Sequence, residues 1–144
     1  TPLPQGCPWW ELKLDLLLPC SISGLINEEM ASALRVTSVV PAANAPFQSP
    51  QLANALRQRG IRVLPDPLVN AGAVIADSIE RFSPDAWKDA GAKDVYSFVR
   101  EEVRRRATDY LNQRDQGLSV GAALNEVAAA PATDPIGLSF GEAA

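Results

Sequence analysis

At 144 residues the chain has room for one domain with a real core and little room for two. Hydrophobic residues make up 47% and charged ones 21%, values of a soluble globular protein, and no apolar run nears the length needed to span a bilayer. A net charge of -4 argues against a general nucleic-acid-binding surface, and the absence of histidine excludes a Ser-His-Asp triad, a Cys-His pair and a His-ligated metal.

Residues 1 to 13 form a Pro-rich lead-in without regular structure, in which Trp9 and Trp10 can pack against a core. Leu14 to Leu18 is a short apolar run stopped by Pro19, the pattern of a strand buried on both faces. Asn27 then caps a helix through about Leu34, with Glu28 and Glu29 complementing the dipole of its first turn. Val36 to Val40 is a β-branched second strand, stopped by Pro41. Ser49-Pro50 opens the next helix and Gly60 closes it. Ile61 to Leu64 is a third strand, again ending in proline, Pro65.

After Asn70 the run AGAVIADSIERF forms a helix with Asn70 near its start, and Ser83-Pro84 begins a short one through Trp87. A long helix covers about Asp94 to Gln113, with Val95, Phe98, Val99, Val103, Ala107 and Leu111 on one face. Ser119 caps a last helix to about Ala129, and the tail from 130 to 144 reads as mobile. Strands alternating with helices across short links predict an α/β fold with a parallel sheet. Its carboxyl edge, where such folds bind ligands, receives Pro19-Cys20-Ser21, Pro41 through Asn44 and Pro65 through Asn70.

Each candidate residue has a structural and a functional reading. Asn70 and Asn44 are either turn or cap residues or amides that hold a ligand amide, and their position at adjacent strand ends favours a site. The small neighbours Ala71, Gly72 and Ala73 leave room for a flat ring. Cys20 lacks any His partner and reads as a small buried contact residue. Only two cysteines occur, Cys7 and Cys20, too few for a disulfide framework, so a cytoplasmic setting is the default. Glu101–Arg105 and Glu102–Arg106 have i,i+4 spacing, the mark of a solvated helix face. Asp66 between two prolines reads as a loop residue or cap. Asp77 falls two turns into the helix after Asn70, where it can face the same cleft.

The segments LPCSISGLINEE, VVPAANAP and RGIRVLPDPLVNAGAVI together resemble the coenzyme-domain motifs of the glutamate/leucine/phenylalanine/valine dehydrogenases. Residues 93 to 128 are similar to the C-terminal helices of the leucine-type branch, and the likeness spans roughly 14 to 129. It implies the distal half of a doubly wound, Rossmann-like sheet over 14–82, followed by C-terminal helices over 83–129. It also implies an NAD- or NADP-dependent oxidoreductase that deaminates an amino acid to a 2-oxo acid reversibly. Cys20, Ser21, Asn44 and Asn70 would then contact the coenzyme, and Val74 and Asp77 would line the substrate pocket. The family's catalytic lysines and Gly-rich turn have no counterpart: the only lysines are Lys13, Lys88 and Lys93, and no G-x-G occurs. No catalytic residue is therefore expected in this chain, nor a metal, nucleic-acid or membrane partner. The apolar edge left at Leu14 to Leu18 calls for a missing N-terminal half or for self-association into an oligomer. Three departures, Ala73 for the second glycine of N-A-G-G, Pro41 at the start of the Asn44 motif and Asp77, are the features of a non-catalytic binding or scaffold module.

Overall fold

A strand that is followed by proline cannot continue its ladder, because proline has no N–H to donate. In the computed structural model, which describes residues 2–129, three strands stop in this way at one edge of a single sheet. They are β1 (Lys13–Leu17), β2 (Arg35–Val39) and β3 (Arg62–Val63), all parallel, in the order β1-β2-β3. Leu14 lies opposite Val36 and Leu17 opposite Val39, while Val39 in turn faces Val63. The chain divides into two compact units after Asn70.

The first unit holds the sheet with α1 (Glu28–Ala33), α2 (Pro50–Gln58) and α3 (Asp66–Val69). Asn27 caps α1 as its sequence implies, its Oδ1 accepting the Met30 N–H at 2.8 Å. Pro50 occupies the first turn of α2, and Gly60 takes φ +80° just beyond its end. Arg59 does what no local pattern announces. Its guanidinium donates to the carbonyls of Ala31 and Leu34 at 2.6 and 2.7 Å, satisfying the open end of α1. The core joins Ile26, Leu34, Val36, Val39, Leu56 and Val63, and both Trp9 and Trp10 pack against it. The Trp pair is less irregular than expected, forming a short 3-10 turn over Trp9–Glu11.

The expected burial of β1 on both faces is not what the fold produces. Leu14 and Leu17 are half-buried, but Leu16 and Leu18 are 49% and 53% exposed. The physical reason is position: β1 is an edge strand with a neighbour on one side. β3 is shorter than expected, because Ile61 and Leu64 lie outside its regular ladder.

The second unit contains α4 (Gly72–Phe82), α5 (Pro84–Asp89), α6 (Ala92–Asp115) and α7 (Val120–Ala129). At Gly72 α4 lies close against α6: a Cβ there would stand 3.2 Å from the Val99 side chain. Ser119 caps α7, its Oγ accepting the Ala122 N–H at 3.1 Å. The apolar stripe expected on α6 is only half-buried, whereas Tyr110 and Glu102 are buried at 2% and 6% exposure. Glu102 therefore corrects the expectation of a solvated charged face. Its carboxylate accepts from Arg105 at 2.8 Å and from Arg106 at 2.5 Å, and Arg106 also donates to the Val127 carbonyl at 3.0 Å. Glu101 pairs with Arg104, not Arg105, in the open. The hydrogen bonds that Arg105 donates to Glu102 raise its pKa against an opposing desolvation effect, with the charges of Glu102 and Asp109 adding to the rise. A raised cationic pKa keeps its stabilising effect at every pH below the free guanidinium value, so this arginine makes no contribution that titrates near neutrality. Among the described residues no helix is long and apolar enough to cross a membrane. The tail expected to be mobile, 130–144, lies outside the described residues.

Removing one partner of a buried ion pair strands the others. Glu102→Gln is expected to lower stability by about 2 kcal/mol, since Arg105 is partly exposed and screened. Chemical denaturation followed by circular dichroism measures this, and a loss below about 0.5 kcal/mol contradicts it.

Candidate functional site

The loops leaving the three strands are tied to one another by hydrogen bonds rather than hanging free. The Pro19 carbonyl accepts both the Ala42 and Ala43 N–H groups at 2.9 Å, joining the loop after β1 to the loop after β2. Val40 donates to the Leu17 carbonyl at 2.9 Å and Leu64 to the Val39 carbonyl at 3.0 Å, so both ladders run out to the prolines. Ser23 Oγ donates to the Asn44 carbonyl at 2.8 Å, and the Gly24 N–H to the Ala45 carbonyl at the same distance. The third loop reaches the second through side chains. Asp66 Oδ2 accepts the Ala45 N–H at 2.8 Å, and Asn70 Nδ2 donates to Asn44 Oδ1 at 2.6 Å.

The turn-or-cap reading of Asn70 holds for its backbone and not for its side chain. The residue ends α3, its N–H donating to the Asp66 carbonyl at 3.0 Å, and α4 begins two residues later behind Ala71, with no side-chain cap. The Asn70 carboxamide caps neither helix; it pairs with the Asn44 carboxamide. An amide–amide pair of this kind, whichever way round its members are assigned, leaves one NH2 donor and one C=O acceptor pointing to other partners. Among the described residues those remaining groups have no further hydrogen bond beyond the pair. Asn44 is exposed and Asn70 half-buried, so the pair stands at the surface of the sheet edge.

Cys20 departs from expectation: it is exposed, not buried, because Pro19 takes the chain beyond the last rung of β1. Its Sγ lies 3.2 Å from the Leu18 carbonyl. Ser21 is exposed beside it. Val74 and Asp77 belong to the second unit, both exposed and three residues apart on α4, hence on one helix face. Lys13 sits at the amino end of β1, four residues or about 13 Å of strand from Leu17. A cavity of about 450 Å³ among Glu11, Ser32, Ala33, Arg35 and Arg59 opens at that same amino-terminal side, away from the two amides. Among the described residues no group of His, Cys, Asp or Glu is arranged to hold a metal ion. Sequence reasoning missed Asp66 and Ser23 as members of this arrangement. Both contacts span 21 residues, and nothing local encodes them.

A parallel sheet with polar loop residues gathered at its carboxyl edge and helices following it defines a Rossmann-like α/β architecture. The solved L-tryptophan dehydrogenase of Nostoc punctiforme shares this fold, with a TM-score of 0.67 at 21% identity over 83% of this chain and 34% of its own. The family model described as Glutamate/Leucine/Phenylalanine/Valine dehydrogenase matches residues 2–132, and the chain belongs to that family. A phenylalanine dehydrogenase of Lysinibacillus sphaericus is 31% identical over 103 residues, which are 71% of this chain and 27% of that protein. An NAD-specific glutamate dehydrogenase of Staphylococcus aureus is 39% identical over 94 residues, 65% of this chain and 22% of that one. A valine dehydrogenase of Streptomyces albus is 39% identical over 82 residues, 56% of this chain and 22% of that one. The chain thus spans between a fifth and a third of the length of these relatives.

Ala45 carries the one non-glycine positive φ among the described residues, +42°, a conformation that costs an L residue about 1 kcal/mol. Ala45→Gly is expected to remove that cost against its own unfolded-state entropy, for a net gain of about 0.5 kcal/mol. Ala45→Val is expected to lose about 2 kcal/mol, since a β-branched residue tolerates this region poorly. Urea unfolding read by Trp9 and Trp10 fluorescence tests both; a clear destabilisation by glycine is the contrary result.

Proposed function

We propose that this chain supplies the distal half of the NAD- or NADP-binding domain of an amino-acid dehydrogenase, with Cys20, Ser21, Asn44 and Asn70 as coenzyme contacts. The observation that carries the reading is the Asn70–Asn44 amide pair at 2.6 Å on the carboxyl edge of the sheet. Its spare donor and spare acceptor match the acceptor and donor of a primary carboxamide, the group a nicotinamide presents. The donor set therefore fits the coenzyme that the family implies. Such a coenzyme, when bound, supplies hydride transfer to and from the α-carbon of the amino acid in reversible oxidative deamination. The part played by this chain is to hold and orient. The two amides fix the plane of a carboxamide, and the exposed Cys20–Ser21 turn supplies small groups from the loop after β1, which Pro19 ties to the loop after β2. On α4, Val74 and Asp77 present one apolar and one acidic side chain from a single face for the substrate.

The acid–base lysine of that reaction is not assigned to any residue here. Lys13 lies at the wrong edge of the sheet, and Lys88 is turned to Asp85 at 3.4 Å. The departures from the family pattern are compatible with retained binding. Pro41 is fully buried, and Ala73 sits in the first turn of α4, where an L residue is at ease.

Titrating NADH into the purified chain, read by fluorescence of Trp9, Trp10 or Trp87, should give saturable binding that Asn70→Ala weakens about tenfold. The same chain should show no amino-acid-dependent reduction of NAD. Turnover would contradict the assignment of the lysine elsewhere, and a folded sample that binds no coenzyme would favour a scaffold module.

A further inference from the structure

We infer that Asp66 is a positioning residue for the Asn44–Asn70 amide pair, a role that rests on the proposed coenzyme reading for its purpose but not for its geometry. Asn44 is exposed and sits in a loop where Ala45 takes φ +42°, so left to itself the segment would relax toward commoner conformations. The Asp66 carboxylate accepts the Ala45 N–H at 2.8 Å, a hydrogen bond to an ionised acceptor and thus stronger than a neutral one. That bond locks the peptide following Asn44. On its other side the Asn44 carbonyl accepts from Ser23 Oγ at 2.8 Å. The backbone is thereby held on both flanks, and the side chain is aimed at Asn70.

Asp66 and Asn70 also belong to one short element. Asp66 opens α3 and Asn70 ends it, with the Asn70 N–H on the Asp66 carbonyl at 3.0 Å. One turn of helix therefore fixes the spacing between the carboxylate that holds the Asn44 loop and the amide that meets the Asn44 side chain. Asp66 acts through Asn44 and touches no ligand itself.

Nuclear magnetic resonance of the full chain without ligand provides the test. In the wild type, couplings through hydrogen bonds are expected between the Ala45 N–H and the Asp66 carboxyl carbon, and between the Asn70 side-chain NH2 and the Asn44 amide carbon. Absence of the first coupling in a folded sample overturns the inference without any variant being made. In Asp66→Ala, hydrogen exchange of the Ala45 N–H and of the Asn70 NH2 should both accelerate about tenfold, and the NADH dissociation constant should rise by a similar factor. Asp66→Asn keeps an oxygen that can accept, so it should restore slow exchange at both sites. Faster exchange at Ala45 with an unchanged Asn70 NH2 would show that Asp66 braces a loop and positions nothing. Failure of the wild type to bind NADH would defeat the coenzyme reading while leaving these exchange results to decide the role of Asp66.

Discussion

Parallel strands that end together leave a row of peptide groups at one edge with no ladder to join, and those groups must find partners there. In this chain proline imposes the stop three times, at Pro19, Pro41 and Pro65, and the freed groups bond between loops. The Pro19 carbonyl takes two N–H groups from the loop after β2, and Asp66 and Asn70 reach that same loop from the far side. The result is a sheet edge whose three loops hold one another in register. A site built on such loops inherits the rigidity of the strands behind it.

Much of this arrangement could be read before any coordinates, and the reasons are local. Asn27 before two glutamates, Ser49 before Pro50 and Ser119 before an apolar run are helix starts written within three or four residues, and each opens a helix. The prolines likewise mark strand ends by chemistry that needs no neighbour. What could not be read depends on distant partners. Leu16 and Leu18 look like core residues in the sequence, yet an edge position leaves both half in the open. Glu102 looks like one more surface charge. It is buried because Arg105 and Arg106 come with it and Val127 closes over the end of the network.

The candidate site divides along the same line. Asn44 and Asn70 stood out as polar residues at adjacent strand ends, and the fold joins them. Asp66 did not stand out, since a residue between two prolines has an adequate local explanation as a cap. Its carboxylate answers instead to an alanine 21 positions earlier. Such a contact is invisible to any reading confined to periodicity and turn chemistry. The family's pattern and the physics agree here for separable reasons. The family is shown by the match over residues 2–132, whereas the geometry of the amides follows from the strand ends themselves.

The central claim is that the two asparagines recognise a carboxamide. Calorimetry comparing NAD with its deamidated form, in which a carboxylate replaces the nicotinamide carboxamide, tests it most directly. A carboxylate cannot donate to the spare amide oxygen, so the account predicts binding of the deamidated form roughly tenfold weaker, with the difference abolished in an Asn44→Ala, Asn70→Ala double variant. Equal affinity for the two dinucleotides in the unmodified chain would contradict it.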